Sequence, residues 1–488
     1  MSEDWKEIYQ RRVTTAAEAA SRICSGDTVN VPPFPPESVL SALWDRADEL
    51  RDVRMQFNST AFDGGWLREG SEESFSLDFE FFIGSYARGS ADAKRGFYLP
   101  NMFSRSFKAK DDKRPGARTP NVALVVCSPP NEEGCVHFGV HHWTKRSLVR
   151  RADLVIAEVN PELVPVHGDV FAHVSEFDAF VETHPQPIGE TEIAELIAKI
   201  KPEWRDKMQS LVDRLAQDSL RLVFPLLPVL DPDTVELQLG LAEPPEIFRT
   251  FAAYLSEVIE DGDCLQIGVG EPSALMVRLG AFDDKKDLGL HTEMIAPGTA
   301  KLVEAGVING SRKNQFKGKA VAASWTGGTD EDIDIVNNNP AFELYDPEYI
   351  LDISCISAND NMVAINNAVS IDLLGQINGE SVFGGRMMNG TGGLPEVHIG
   401  AFLSKGGKAI TLLPSTALGG AVSRIVPTQE AGSIITIPRY FADIVITEFG
   451  IARLLGKNHR ERAEALIAIA HPDHREELTR EMHQLLSA

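Results

Sequence analysis

The sequence predicts an α/β protein built from two related open-sheet halves. Three observations predict it. A turn–strand–loop–helix–strand unit occurs twice, first from Ser25 and again from Asp261. Apolar runs such as Val122–Val126 and Leu154–Glu158 suit strands buried on both faces of a parallel sheet. A proline-rich run, Pro225–Pro232, lies between the two copies and marks a linker.

In order along the chain, residues 1–24 read as a helix with Ala16, Ala17, Ala19, Ala20 and Ile23 on one side. Ser25-Gly26-Asp27 is a turn and Thr28–Val31 a strand. The loop Pro32–Glu37 leads into a helix from Ser38 to Leu50, and Val53–Phe57 is the next strand, ending at Asn58-Ser59-Thr60. The second copy begins at the turn Asp261-Gly262-Asp263, followed by the strand Cys264–Ile267. Gly268–Pro272 replaces the proline loop, and a helix runs through Ala274, Leu275, Met276 and Leu279. Then comes the strand Leu288–His291, with Met294–Gly298 turning away from it. Pro36 and Pro272 stand at the same offset from their turn glycines, which makes Asn58 the counterpart of Glu293.

Between the copies the pattern gives an amphipathic helix at Ile193–Leu215. After the second copy it gives strands at Tyr349–Ile353, Met362–Ile365, Ala409–Pro414, Ser433–Ile437 and Ile444–Thr447. The chain ends in helices at Arg460–Ala470 and Asp473–Leu486, separated by Pro472. The expected division is a domain at 1–220, a linker at 221–245 and a domain at 246–488. Clefts between α/β domains are favoured ligand sites.

A chain of 488 residues can bury two or more cores. Its formal charge of −24 argues against nucleic acid and anionic membranes as partners. Any anionic ligand must therefore be met by local donors. Five cysteines without a CxxC pair suggest reduced thiols and a cytoplasmic location. The charged start, MSEDWKEIYQRR, has no apolar core of a signal peptide, and no apolar run reaches membrane-spanning length.

Glu293 is the candidate nucleophile. A carboxylate at the end of a central α/β strand lies where such sheets place ligands. Glu448 follows the apolar strand Ile444–Thr447 in the same way, and two such groups can divide the work of nucleophile and positioning partner. Gly268-x-Gly270-x-x-Ser273 follows a strand, but a dinucleotide fingerprint wants glycine or alanine in place of Ser273. It reads better as a tight turn whose backbone N–H groups face a ligand. Residues 383–393 hold five glycines, which indicates close backbone approach. The basic segment 105–120 fits a solvated loop, or a lid over a phosphate group. His141-His142 lacks a third metal ligand at sensible spacing. Ser59-Thr60 lacks a nucleophile elbow.

These motifs together resemble the acetyl-CoA hydrolase/transferase family of class I CoA-transferases, most of all its 4-hydroxybutyrate CoA-transferase branch. The likeness is densest in His291-Thr292-Glu293-Met294, in Met388–Gly393, in Leu413–Ala417 with Ser423–Pro427, and in Thr447–Ala452, Glu461-Arg462-Ala463 and Ala470–Asp473. It implies two α/β domains with CoA and the acyl group bound between them. It places the catalytic glutamate at Glu293, an active-site asparagine at Asn366 and a second glutamate at Glu448. It assigns CoA contacts and oxyanion donors to Gly268, Gly270, Met388, Asn389, Gly390, Gly392 and Gly393. The chain departs from the family pattern at Leu394–Val397, Ser370, Pro32–Pro36 and Pro165–His167.

The resemblance implies CoA transfer between a short-chain acyl-CoA and a carboxylic acid through a glutamyl-CoA thioester, by ping-pong kinetics. Coenzyme A is then substrate, no metal or permanently bound cofactor is needed, and a homodimer is expected. Two alternatives accompany it: an acyl-CoA hydrolase, and a non-catalytic acyl-CoA-binding protein.

Overall fold

The computed structural model describes residues 4–58, 70–82, 84–183, 188–215, 220, 224, 227, 231–238, 241–325, 330–382 and 384–487. The chain forms two compact units. The first is Met1–Leu241 with Ala323–Glu348, and the second is Ala242–Ala322 with Tyr349–Ala488.

The first unit carries a sheet of parallel strands. They are β1 (Thr28–Val31), β2 (Val53–Phe57), β3 (Phe75–Phe79), β4 (Gly96–Tyr98), β5 (Val122–Cys127), β6 (Leu154–Val159) and β7 (Ala179–Glu182). Their spatial order is β7-β6-β5-β1-β2-β3-β4. Every residue of β1 and β5 is buried, as their apolar runs require.

The second unit carries β8 (Cys264–Ile267), β9 (Gly289–His291), β10 (Ala320–Ala322), β11 (Met362–Asn367), β12 (Lys408–Leu412), β13 (Ile444–Thr447) and β14 (Gly450–Arg453). Their order is β14-β13-β12-β11-β8-β9-β10, with only β14 antiparallel to its neighbour β13. The chain reverses its direction of travel between β1 and β5 in one sheet and between β8 and β11 in the other. Such switch points open a crevice at the C-terminal ends of the strands.

The sequence repeat is a repeat of backbone geometry. Thr28 pairs with Arg54 in the first unit, and Cys264 pairs with Gly289 in the second. The N–H of Gly26 donates to the Arg51 carbonyl at 3.0 Å, and that of Gly262 to the Lys286 carbonyl at 2.9 Å. The two turn glycines have φ of 87° and 89°, a region glycine enters without cost. Asp52 and Asp287 share a left-handed φ of 57° and 58° at the matching entry to the second strand.

Several expected elements take another form. The helix at 1–24 is broken into Trp5–Arg12 and Ala16–Ser21. Val13 is extended and bridges to Phe180, and the Thr15 side chain caps the second piece through the Glu18 N–H. The β-branched run Val13-Thr14-Thr15 favours that break. Residues 193–215 form two helices, Glu190–Lys199 and Arg205–Val212, because Pro202 opens a 3₁₀ turn between them. Tyr349–Ile353 is no strand: Pro347–Ile350 and Ile353–Ser357 are helical, the second capped by Asp352. A short apolar run does not tell strand from buried helix. Ser433–Ile437 makes only a single bridge, Ile377 to Ile437. The helix expected after Pro272 is the 3₁₀ turn Ser273–Met276.

Part of the expected linker is folded. The helix Pro232–Gln238 supplies Val235 to a core with Leu196, Met208, Leu211, Leu220 and Leu227. Residues 221–223, 225–226, 228–230 and 239–240 of that segment, and Ser59-Thr60, lie outside the described residues. Among the described residues no helix is long and apolar enough to cross a membrane.

Candidate active site

Glu293 stands just beyond the C-terminal end of β9, and its two predecessors are fixed. His291 is buried, and its Nε2 reaches the Ile350 carbonyl at 2.7 Å. The amide of Asn359 lies 3.2 Å from its Nδ1. Burial pushes His291 down to about 3, so the ring is neutral. Thr292 is fully buried and holds the crossing from β8 to β9: its hydroxyl accepts from the Ile267 N–H at 3.3 Å.

The Glu293 carboxylate accepts the Gly393 N–H at Oε2, at 3.1 Å. Gly393 precedes the helix Leu394–Leu403, so the positive end of that helix faces the carboxylate. A Cβ on Gly393 would lie 2.1 Å from Oε2, which is why no side chain fits there. Three residues on, Glu396 is buried in the first helical turn. Burial pushes Glu293 up to about 8, Glu396 adds to that rise, and the Gly393 N–H opposes it.

The glycine run serves two purposes. Its first part is the tip of a hairpin between Ser381–Val382 and Arg386–Met387, where Gly385 passes so close to the Gly432 carbonyl that a Cβ would sit 2.4 Å from it. Phe383 lies outside the described residues. The N–H groups of Met388 and Asn389 then donate to the Glu380 carbonyl at 2.7 and 3.1 Å. Gly390 and Gly392 complete the path to Gly393, and Gly392 takes a φ of 59°.

Asn366 is the penultimate residue of β11, beside β8. Its Nδ2 donates to Gln266 Oε1 at 2.7 Å, and Gln266 Nε2 returns a bond to Asn366 Oδ1 at 3.3 Å. Gly268 is held small by this pair, since a Cβ would lie 2.7 Å from Asn366 Oδ1. The next residue, Asn367, binds both the N–H and the hydroxyl of Ser273, at 3.0 and 2.9 Å, and a Cβ on Gly270 would meet its Nδ2 at 2.9 Å. Glu448 follows β13 and accepts both the N–H of Ser415, at 2.9 Å, and its hydroxyl. Three strands, β8, β11 and β12, stand between β9 and β13.

Two family profiles match most of the chain. The acetyl-CoA hydrolase/transferase N-terminal domain matches residues 2–190, and the C-terminal domain of the same family matches residues 328–482. The chain belongs to the acetyl-CoA hydrolase/transferase family. It is 34% identical to a 4-hydroxybutyrate coenzyme A transferase of Clostridium kluyveri over 98% of this chain and 99% of that one. It is 31% identical to a succinyl-CoA:cyclohexane-1-carboxylate CoA transferase of Geobacter metallireducens, over 97% and 96% of the two chains. Among solved structures, RipA from Yersinia pestis superposes with a TM-score of 0.79, at 29% identity and 99% coverage of both chains.

Set against the family's expectations, the structure brings Glu293 and Gly393 together and places Asn366 with Gly268. Glu448 is engaged by Ser415, and the carboxylate that Glu293 feels is Glu396 instead. Sequence reasoning missed Glu396, Gln266 and Asn367. The polar pair Asn366-Asn367 at the end of an apolar strand was the available signal for the last of these. His141 and His142 are both occupied within the first unit: His141 stacks on Phe34 with ring centroids 3.5 Å apart, and His142 Nε2 lies 2.9 Å from Asp346 Oδ1.

The Glu293 environment has a consequence for stability. A carboxyl group raised in the folded state binds its proton more tightly there than in the unfolded chain. That contribution is fully present below the ordinary carboxylate range and is lost as pH rises through about 8. Glu293→Gln, which cannot ionise, is expected to melt above the parent enzyme at pH near 8, with the gap closing towards acid. Thermal melts of the two proteins across that range check it.

Proposed function

We propose that this enzyme moves CoA from a short-chain acyl-CoA to a carboxylic acid, with Glu293 as nucleophile. The observation that carries the proposal is the Glu293 carboxylate bonded to the Gly393 N–H at a helix start. The named CoA-transferases among the relatives, matched over nearly their whole length, support the same reading.

A carboxylate oxygen of Glu293 attacks the thioester carbonyl and the C–S bond breaks, giving a mixed acyl–glutamyl anhydride and CoA thiolate. The thiolate attacks the glutamyl carbonyl and the anhydride C–O bond breaks, which frees the first acid and leaves a glutamyl-CoA thioester. An incoming carboxylate reverses both steps. Burial strips water from the nucleophile and fixes its approach, and because it also holds the proton on Glu293 up to about 8, the attacking carboxylate form grows as pH rises towards that value. The Gly393 N–H faces the glutamyl oxygen, where one donor is worth about 3 kcal/mol to an oxyanion. Asn366 keeps one Nδ2 hydrogen beyond its bond to Gln266 for a substrate oxygen. Gly268 and Gly270 line the thioester, Met388, Asn389, Gly390 and Gly392 border the CoA arm, and Glu448 acts through Ser415 as a positioning group.

The relatives' names span a hydroxy acid and a ring carboxylate, so the acid is to be found by a panel of short and cyclic carboxylates. The five free thiols support a cytoplasmic setting, and the family resemblance supports a homodimer. Initial rates at several fixed acid concentrations test the function. Parallel double-reciprocal lines, with no turnover in the absence of an acid, are expected. Release of CoA without any acceptor acid would instead mark a hydrolase.

A further inference from the structure

At the C-terminal ends of β12 and β13 a second group of polar side chains meets. A hairpin between Thr416–Ala417 and Val422–Ser423 returns the chain to Ser415, whose carbonyl accepts the Arg424 N–H at 2.9 Å. The Arg424 carbonyl accepts the Ile371 N–H at 2.9 Å, and Ile425 is buried in the core with Ile371 and Leu413. The backbone on both sides of Arg424 is therefore fixed. Ser415 spends its N–H and its hydroxyl on Glu448.

The Arg424 guanidinium lies within electrostatic reach of Glu448 but makes no hydrogen bond to it or to any other described residue. Its Nε is closed off from solvent without a partner among the described residues. Burial lowers its pKa from the usual arginine value, and Glu448 works against that. A guanidinium carries five N–H donors in a planar fork that fits a carboxylate or a phosphate. Leaving Nε unmatched away from solvent is costly, and an anionic oxygen on the remaining N–H groups of the same fork offsets that cost. With a net charge of −24, the chain as a whole does not draw anions, so a local cation has to hold one.

We propose that Arg424 binds an anionic oxygen of the substrate, from the carboxylate of the acid or from a phosphate of the CoA moiety, with the Ser415–Glu448 clasp holding the arginine in place. The proposal rests on the CoA-transfer reading above and adds an anion-binding residue at the ends of β12 and β13, three strands from the one that carries Glu293.

Arg424→Gln and Arg424→Lys in the full chain test it, with acyl-CoA and acid varied separately and thermal melts run alongside. Arg424→Gln is expected to raise the KM of one substrate by about tenfold or more, against a smaller fall in kcat. Arg424→Lys, which keeps the charge and loses the fork, recovers part of that loss. A rise for the acid assigns the oxygen to a carboxylate, and a rise for the acyl-CoA assigns it to a phosphate. Unchanged KM values for both substrates overturn the proposal. So does a fall in kcat with a lowered melting temperature and no selective change in KM. If the parent enzyme transfers no CoA, the function reading fails instead; calorimetry with CoA and with acetate then decides the subsite, and equal affinities of parent and Arg424→Gln overturn it.

Discussion

Replacing Gly393 by alanine is expected to lower kcat by about 100-fold or more, with a far smaller loss of stability. The backbone does not forbid the change, because Gly393 has φ −79° and ψ 1°, which alanine adopts freely. The obstacle is the nucleophile itself. The new Cβ would lie 2.1 Å from Glu293 Oε2 and 3.2 Å from its Cδ, with Leu351 Cδ1 3.6 Å away on another side. The carboxylate has to move, and the Gly393 N–H then no longer points at the oxygen that becomes an oxyanion. Gly392→Ala is the informative contrast. Its Cβ meets nothing within 4 Å, but its φ of 59° is left-handed, so it should cost about 1 kcal/mol of stability with a smaller effect on kcat. Rates and melting curves of both variants separate a displaced nucleophile from a strained loop. Comparable losses of kcat in the two would contradict this account of Gly393.

Glu293→Ala is expected to remove transfer altogether, and Glu293→Asp to cost about 100-fold or more. Aspartate keeps the charge but withdraws the carboxylate by one methylene from the Gly393 N–H and from the thioester. The neighbours that aim Glu293 are rigid: His291 is tied to Ile350 and Thr292 to Ile267, so the strand end does not slide forward to make up the reach. Single-turnover assays with an acyl-CoA check both variants. Alanine retaining more than a small residue of activity would take Glu293 out of the nucleophile's role.

Much of this was legible in the sequence because the repeat is written in residue types with fixed backbone duties. Gly26 and Gly262 occupy the same left-handed turn, Asp52 and Asp287 the same strand entry, and the strand pairs share one register. The apolar runs at Val122–Val126 and Leu154–Glu158 became neighbouring interior parallel strands, the first buried throughout and the second buried at Val155–Ala157, because such a strand has little polar face to show. Expected helices broke where a local competitor outweighed periodicity, Thr15 capping at the N-terminus and Pro202 between Lys199 and Arg205, and the strand expected at Tyr349–Ile353 became helical where Asp352 caps Ile353–Ser357.

The site was legible one residue at a time and illegible as pairs. Glu293 announced itself by its place after a strand, and Gly393 by the density of glycines around it. Their contact joins residues 100 apart, and nothing local encodes it. Glu396 entered only as part of the departure Leu394–Val397, and only burial beside Glu293 gives it an electrostatic effect. Glu448 and Ser415 were each visible in their own motifs, but the clasp between them depends on β12 and β13 being adjacent.

The central claim is that Glu293 carries CoA as a thioester. Intact-protein mass spectrometry after mixing the enzyme with an acyl-CoA, followed by peptide mapping, tests it most directly. The predicted result is a CoA-sized adduct on Glu293 that disappears when a carboxylic acid is added and never forms in Glu293→Gln. CoA released without an adduct, or an adduct mapped to another residue, would contradict it.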